Sequence, residues 1–438
     1  METFVELPLW TLIPFVLMLL TIAIAPLIAE HWWEKNLNKL FVSLLLGIPT
    51  AIYLICQGLG HNLEHQILYD YLPFIILLAA LFVVTGGIHM QGNLIARPST
   101  NTAILAIGYV LASLTGTTGA AMLLIRPLLE TNKERKYTTH TVLFFIATVA
   151  NCGGLLTPLG DPPLFLLYLR GAEFTWFLKL FPAWLLVGVM LLTVYYILDS
   201  YWFRRESYTR LKSDVQHREP IRIKGCINFV FLLGVILSVA FINQGYIPAM
   251  GEADAPILVK YLREIALIAI IAFSLMFTHR KIRVDNHFTW NPIIEVAVVF
   301  LGIFVTMTPA MLYLKAHAAG LGITQPWQFF YASGLLSSFL DNAPTALAFH
   351  GVASGLVESG AAVAEVAGIP EILLKAISMG AVMFGAMTYI GNGPNFMVKA
   401  IAEENGFRMP SFFGYMWKFS FRVLLPIYIV VQLIFFFF

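Results

Sequence analysis

Two strings of nine residues decide the fold class of this 438-residue chain. The first reads Thr157-Pro158-Leu159-Gly160-Asp161-Pro162-Pro163-Leu164-Phe165, and the second reads Thr388-Tyr389-Ile390-Gly391-Asn392-Gly393-Pro394-Asn395-Phe396. They align without a gap, and a Thr, a Gly, a Pro and a Phe coincide. Each string lies in the middle of an apolar run, where Pro and Gly interrupt a helix and free backbone polar groups. The pair predicts two broken helices at equivalent places of an internal repeat, the pattern typical of a transporter's binding site.

The composition around these strings is that of a membrane protein. The chain is 59% hydrophobic and 12% charged, against about 25% charged residues in soluble domains. Apolar runs of about 20 residues recur along its whole length, which predicts an all-α polytopic membrane protein whose partner is the lipid bilayer. The 27 basic and 25 acidic residues nearly cancel, so the balance indicates no nucleic-acid partner. Three cysteines without CxxC spacing predict neither a disulfide nor a metal site.

The first apolar run is expected to stay in the protein as a span. Glu2 and Glu6 precede it instead of Lys or Arg, which is the wrong flank for a signal peptide. The basic connection 203–225 is predicted to be cytoplasmic by the positive-inside rule. It divides the chain into a first repeat, residues 1–202, and a second repeat, residues 226–438.

Each repeat is predicted to contain a re-entrant hairpin. Basic residues flank both ends of the run at about 102–129, so both ends lie on one side of the membrane. This run is interrupted around Gly116, and a second run at about 329–352 is interrupted at Asp341. The loop 353–370 has acidic but no basic residues, which places it outside. We therefore predict two inverted repeats, each with about five transmembrane helices, one hairpin and one broken helix, at about 141–170 and about 372–401.

Two carboxylates are expected deep in the membrane, Asp161 in the first broken helix and Asp341 at the second hairpin tip. A charge at the bilayer centre costs at least about 2.5 kcal/mol, so such a residue is presumed functional. One carboxylate can bind a proton or Na⁺ but not both, and this competition suits an antiporter. Polar side chains that could complete an oxygen-rich ion site are Asn151, Thr157, Thr117, Thr118, Asn342, Thr345, Asn392 and Asn395. Helix caps or interhelical hydrogen bonds are the alternative role for each of these side chains.

Other polar residues in the apolar runs have two interpretations. Glu295 is a possible proton relay or an interfacial carboxylate. Arg126 could balance Asp161 or attract an anion, but an anchor at the cytoplasmic surface is the preferred interpretation. His89 and His350 are expected to make structural hydrogen bonds. The sequence has no phosphate-binding loop, metal-ligand cluster or nucleophile constellation, so neither an enzyme nor a bound cofactor is predicted.

With these motifs in place, the chain resembles members of the ion transporter superfamily along essentially its whole length. The strings Asn151-Cys-Gly-Gly-Leu-Leu-Thr-Pro-Leu-Gly-Asp-Pro-Pro163, Leu340-Asp-Asn-Ala-Pro-Thr345 and Tyr389-Ile-Gly-Asn-Gly-Pro-Asn395 look most like NhaD-type sodium/proton antiporters and the related citrate transporters. The resemblance implies a homodimer in which hairpins and broken helices form a mobile transport domain. The Ser-Asn-Thr signature typical of the dicarboxylate branch is absent at both tips.

These observations predict a secondary transporter, with Na⁺/H⁺ exchange at intramembrane carboxylates as the first choice. Na⁺ and H⁺ would then be the coupling or transported ions, with the hypothetical Na⁺ site at Asp161 and Asp341. The first alternative is cation-coupled transport of citrate or another carboxylate, and a weaker one is efflux of arsenite or another oxyanion. We expect a multi-pass location in a bacterial inner (plasma) membrane.

Overall fold

The computed structural model describes residues 7–252 and 254–437. Glu2 and Glu6, which flank the first predicted span, lie outside the described residues. The first half folds into short and long helices and two strands: α1 (Ile13–Ile28), α2 (Glu30–Trp33), α3 (Asn36–Cys56), α4 (Gly60–His65), α5 (Leu72–Thr85), β1 (His89–Asn93), α6 (Pro98–Thr115), α7 (Thr117–Thr131), α8 (Thr139–Thr148), α9 (Pro162–Leu169), α10 (Phe181–Phe203), α11 (Tyr208–Gln216) and β2 (Glu219–Lys224).

The described part of the second half contains the helices α12 (Ile227–Phe241), α13 (Ile257–Lys260), α14 (Leu262–Phe277), α15 (Arg280–Asp285), α16 (Asn291–Ala316), α17 (Pro326–Phe339), α18 (Asn342–Glu358), α19 (Glu371–Phe384), α20 (Gly393–Glu404), α21 (Phe412–Tyr415) and α22 (Leu425–Phe435). The strands β1 and β2 pair antiparallel, with Met90 opposite Ile223. The basic linker 203–225 thus contains α11 and β2 and is not an unstructured connection. The prediction of an all-α polytopic membrane protein is confirmed.

Within the described residues, seven helical segments are long and apolar enough to cross a membrane. They are Leu9–Pro26, Asn36–Cys56, Gly60–Thr85, Thr139–Leu156, Phe174–Phe203, Asn291–Ala316 and Phe412–Phe435. The sequence predicts about ten crossings, and the difference lies in runs that fold as shorter helices. The 15-residue α12 and the 16-residue α14 are examples.

The four predicted interruptions appear as breaks in helical structure. The first hairpin consists of α6 and α7, separated by Gly116, whose φ of 78° is in the region that glycine adopts at little cost. The second consists of α17 and α18, separated by Leu340 and Asp341. In the first broken helix a 3₁₀ turn, Cys152–Leu156, and an extended stretch separate α8 from α9. In the second, a 3₁₀ turn, Gly385–Met387, and the following five residues separate α19 from α20.

The chain forms two compact units that are interleaved in sequence. Unit 1 comprises the described part of Met1–Leu78 with Pro162–Ala172 and Thr289–Phe384, and unit 2 comprises Ala79–Asp161, Glu173–Phe288 and the described part of Gly385–Phe438. Neither unit coincides with a predicted repeat. Borders between the units fall at the two helix breaks, after Asp161 and after Phe384. The division into inverted repeats stays a prediction.

Unit 1 is built around α16, which packs against α3 and α18. Helix α18 also packs against α9, the second part of the first broken helix, and α17 packs along α19. Fully buried phenylalanines fill this core, among them Phe304, Phe329 and Phe384. Just after α9, Arg170 forms an ion pair of 2.6 Å with the buried Asp70.

In unit 2, helix α6 packs against α7, α10 and the 3₁₀ turn of the first broken helix. Helix α20, the second part of the second broken helix, packs against α7 and α8. In unit 1, the second arm of the second hairpin (α18) therefore packs on the second part of the first broken helix (α9). In unit 2, the second arm of the first hairpin (α7) packs on the second part of the second broken helix (α20). Because these contacts join residues far apart in sequence, hydrophobic periodicity alone does not predict them.

Candidate ion-binding site

The carboxylate of Asp161 is at the centre of a polar cluster in unit 2. Its side chain is only 1% exposed. Its Oδ1 accepts a hydrogen bond of 2.8 Å from Thr117 Oγ1 at the first hairpin tip and one of 3.1 Å from Asn392 Nδ2 in the second broken helix. The hairpin tip and both broken helices thus meet at one buried carboxylate. Of the sequence-predicted residues, the structure brings together Asp161, Thr117, Asn392, Asn151, Asn395 and Thr157 in this region.

Asp161 and Asn392 occupy the same position in the two aligned strings, and they hydrogen-bond to each other. Equivalent residues of an internal repeat meet in this way when they lie close to the pseudo-twofold axis that relates the repeats. The matched Thr157 and Thr388 also behave alike. Thr157 Oγ1 accepts from Leu159 N at 3.2 Å, and Thr388 Oγ1 accepts from Ile390 N at 3.2 Å. Both hydroxyls thereby hold the local turn, which is the kind of structural role considered as the alternative for Thr157.

Close backbone packing positions the first break against the hairpin tip. Thr117 N donates to Gly160 O at 2.8 Å, and Thr157 Oγ1 donates to Ser113 O on α6. A Cβ atom at Gly160 would collide with the carbonyl oxygen of Gly154. Glycine at position 160 is therefore required because two stretches of backbone approach too closely for a side chain.

Three asparagines extend the cluster around Asp161. Asn151 Nδ2 donates to Asn395 Oδ1 at 2.6 Å, and Asn395 Nδ2 donates to Gly385 O and Thr388 O at 2.7 and 2.9 Å. All three asparagines are at most 3% exposed. Asn151 and Asn395 thus brace the two breaks against each other; through side chains, Asn151 reaches the carboxylate by way of Asn392, and Asn395 reaches it by way of Asn151 and Asn392.

The amide of Asn392 meets more acceptors than it has hydrogens. Its Nδ2 lies 3.1 Å from Ala150 O, 3.2 Å from Asn151 Oδ1 and 3.1 Å from Asp161 Oδ1. An NH₂ group supplies two hydrogens, so at least one of these oxygens shares a hydrogen. A proton on Asp161, or a cation beside it, would offset the negative charge of this group of oxygens. The arrangement is therefore chemically suited to bind one monovalent cation or one proton.

The second hairpin tip is in unit 1, so Asp341, Asn342 and Thr345 are in a different unit from Asp161. Asp341 is the N-cap of α18, where its Oδ1 accepts from Ala343 N at 3.0 Å, and Thr345 Oγ1 donates to Asp341 O at 2.9 Å. Asn342 is buried and Asp341 is partly exposed. In unit 2, Thr118 follows Thr117 in the first turn of α7 and is partly exposed.

Two charged residues considered from sequence have distinct surroundings. Glu295 forms an ion pair of 2.7 Å with Lys39, whose side chain is 3% exposed. This contact gives Glu295 a structural partner, and its role as a proton relay stays a prediction. On α7, Nη1 of Arg126 is buried without a hydrogen-bond acceptor among the described residues.

His350 Nε2 lies 2.9 Å from Ala367 O, in agreement with the structural role expected for it.

Serines that the sequence did not single out connect each hairpin to the broken helix that follows it. Ser113 Oγ donates to Gly153 O at 2.5 Å in unit 2, and Ser338 Oγ donates to Phe384 O at 3.2 Å in unit 1. Ser113 and Ser338 lie four residues before the first residues of α7 and α18, respectively. Their acceptors, Gly153 and Phe384, lie four residues before the matched Thr157 and Thr388. A polar residue at the same offset in two apolar helices was the signal that could have identified them.

The apolar spans and the buried carboxylate at interrupted helices define the class of protein, a multi-pass membrane transporter. The model of a family described as "Putative citrate transport" matches residues 4–436 of the chain. Since the match covers nearly the whole sequence, the chain belongs to this family of the ion transporter superfamily. No curated protein matches the chain significantly.

Proposed function

We propose that this protein transports citrate or a related carboxylate together with a coupling cation bound at Asp161. The family description supports a carboxylate as the substrate class. The observation that carries the cation is the buried Asp161 carboxylate, held by Thr117 from a hairpin tip and by Asn392 from a second broken helix. The first hairpin and both broken helices, three of the four elements expected to move in a transporter of this kind, therefore contribute to this one group.

Electrostatics supports coupling over transport of the anion alone. A carboxylate substrate repels an ionised Asp161 in a medium of low dielectric constant, where Coulomb energies are several times larger than in water. A cation at Asp161 removes this repulsion and adds attraction for the substrate. The bound cation then raises the affinity for the anion, and by linkage the anion raises the affinity for the cation.

The oxygen ligands around Asp161 suit a hard cation. Na⁺ prefers carboxylate, hydroxyl and carbonyl oxygens, by the same reasoning that applies to other hard cations. Asp161 Oδ1 and Thr117 Oγ1 are 2.8 Å apart and supply two such atoms, and the carbonyl of Ala150 and the Oδ1 of Asn151 lie around the same amide. A proton would require Asp161 alone. Either ion fits the proposal, and the ion's identity is a matter for experiment.

A second function, exchange of Na⁺ for H⁺, is favoured by the same carboxylate. If the two ions compete for Asp161 and no anion takes part, the cycle is that of an antiporter. Uptake of labelled citrate into proteoliposomes, with an internal pH dye recording proton movement, distinguishes the two functions. Citrate accumulation driven by a Na⁺ or H⁺ gradient supports the first function. Na⁺-driven pH change without citrate uptake supports the second.

A further inference from the structure

A patch of basic and aromatic side chains lies in unit 2 where two candidate membrane spans end. Lys136 lies three residues before the span Thr139–Leu156, and Arg205 lies two residues after the span Phe174–Phe203. Both cations are exposed, and neither contributes to the hydrogen bonds described around Asp161. Side chains at the ends of spans lie at the level of the lipid headgroups.

The two span ends are joined by stacking and by hydrogen bonds. The ring of Tyr137 stacks on that of Trp202, with the ring centroids 4.7 Å apart. Glu206 Oε1 accepts from the backbone N–H groups of Lys136 and Tyr137 at 2.9 and 3.0 Å. The segment that carries Lys136 is therefore held against the end of α10.

Aromatic rings orient the two cations. Arg205 Cζ is 4.2 Å from the ring centroid of Tyr201 and 5.7 Å from that of Trp202, and Lys136 Nζ is 5.3 Å from that of Tyr137. A guanidinium that stacks on a ring keeps the N–H groups of its edge available for phosphate oxygens. In the part of the chain that the structure describes, no carboxylate forms an ion pair with Arg205 or Lys136. Both cations are therefore available to an anion from outside the protein.

The surface of this region is positive because its acidic side chains are buried or engaged. The side chains of Asp199, Glu206 and Asp214 are at most 2% exposed, and Glu134 Oε2 accepts from Ser213 Oγ. The basic residues of the region are Arg97, Arg135, Lys136, Arg204, Arg205 and Arg210. Six basic residues against four acidic ones leave two positive charges in excess. All six except Arg135 are exposed.

Charges in the adjoining turns and on α20 do not reverse this sign. They form the interacting pairs Lys133–Glu130, Lys399–Glu403 and Arg126–Glu404, and they add one exposed cation, Arg408. A proton on His140 would only increase the positive excess. An anion that approaches this end of α10 is therefore attracted.

The face of α10 that leads to the patch is apolar and exposed. Val194, Ile197 and Tyr201 are spaced at i, i+3 and i+7, so they share one face of the helix, and all three are exposed. They lie within the candidate span Phe174–Phe203, at the depth of lipid acyl chains. An apolar face that ends in cations fits a molecule with an acyl chain and an anionic headgroup. A free phosphate or an acidic peptide would use the cations alone.

We propose that Lys136 and Arg205 bind the phosphate of an anionic phospholipid, whose acyl chains lie along Val194, Ile197 and Tyr201. The cytoplasmic leaflet attracts basic segments through its negative surface potential, and the connection 203–225 is predicted to be on that side. Because Lys136 precedes α8 and Arg205 follows α10, a lipid that contacts both should stabilise the protein.

Thermal unfolding of the full-length protein in detergent, with added phosphatidylglycerol, phosphatidylcholine or inorganic phosphate, tests the lipid site. In the wild type, stabilisation should reach half-saturation at a lower concentration of phosphatidylglycerol than of phosphatidylcholine, and phosphate should have no effect. Lys136→Gln/Arg205→Gln should raise the half-saturating concentration of phosphatidylglycerol about tenfold or more. The matched control is Lys212→Gln/Arg222→Gln, which removes one Lys and one Arg from exposed positions of α11 and β2 and should leave that concentration nearly unchanged.

A second measurement uses the wild type alone and so does not depend on the folding of a variant. Phosphatidylglycerol with a photoreactive group in an acyl chain should label peptides that cover residues 190–202 more strongly than the same analogue of phosphatidylcholine does. Equal labelling by the two lipids, an equal loss of affinity in both double variants, or stabilisation by phosphate alone would overturn the lipid site. Neither measurement involves citrate or a coupling cation, so the result is independent of the proposed transport function.

Discussion

At the scale of single residues, Asp161 and Asp341 are distinguished by what holds their carboxylates. Asp161 accepts from side chains of two other elements, Thr117 and Asn392. Asp341 accepts from the backbone of its own helix, at Ala343 N. The first arrangement joins three elements at one charge, whereas the second is also what an ordinary N-cap does. The two carboxylates, equal candidates in sequence, therefore call for different tests.

The first prediction concerns the hydroxyl that binds Asp161. Thr117→Val keeps the shape of the side chain but removes the hydrogen bond of 2.8 Å, and hydrogen bonds to charged groups contribute about 1.5–3 kcal/mol. We expect the apparent affinity for the coupling cation, measured as Na⁺-dependent thermal stabilisation, to fall about tenfold or more. Thr117→Ser should retain most of the affinity. If the wild type responds to Na⁺, an equal response in the valine variant would exclude Thr117 from the site.

The second prediction separates the charge of Asp341 from its capping role. Asn and Asp are similarly good N-caps, and replacing either by Ala costs about 1 kcal/mol. Asp341→Asn should therefore keep wild-type stability, while Asp341→Ala should unfold at a lower temperature. If transport by Asp341→Asn is lost at unchanged stability, the carboxylate has a functional role. Wild-type transport by Asp341→Asn would assign Asp341 to the cap alone.

At the scale of helices, local chemistry made the breaks predictable from sequence. Gly116 has the positive φ that ends α6, and Thr157 and Thr388 make the same turn contact at both breaks. The arrangement of the helices was not predictable in this way, because the packing of α20 on α7 and of α9 on α18 joins distant parts of the chain. For the same reason, the sequence indicated Asp161 and Asn392 separately but could not show that they are in contact.

The third prediction compares one glycine from each of the two strings, Gly160 and Gly393, which are not at aligned positions. Gly160→Ala places a methyl group against the carbonyl oxygen of Gly154, whereas nothing lies within 4 Å of a Cβ atom at Gly393. Gly160→Ala should destabilise the protein by about 1–3 kcal/mol, as overpacking does. Gly393→Ala, at the start of α20, should be neutral or slightly stabilising. Thermal unfolding of both variants in detergent checks this, and equal stability would contradict the close approach of Gly160 to the backbone of Gly154.

At the scale of the whole molecule, sidedness is the main prediction that still needs a membrane experiment. Counting Lys and Arg in short loops predicts that a cysteine placed in 353–370 labels from outside and one placed in 204–224 labels from inside. Cys56 and Cys226 are exposed and should first be replaced by serine, whereas Cys152 is buried. Labelling of both loops from the same side would contradict the inverted repeat. The homodimer implied by the superfamily also stays a prediction.

The most direct test of the central claim is citrate uptake by proteoliposomes that contain either the wild-type protein or Asp161→Asn at equal protein content. Asn preserves the size of the side chain and some of its hydrogen bonding but removes the charge that binds the cation. We predict that an inward Na⁺ or H⁺ gradient drives citrate accumulation in the wild type, and that Asp161→Asn reduces the gradient-dependent part to near background. Gradient-driven citrate uptake of equal rate in both proteins would contradict a coupling cation at Asp161, and the absence of any citrate uptake by the wild type would contradict the proposed substrate.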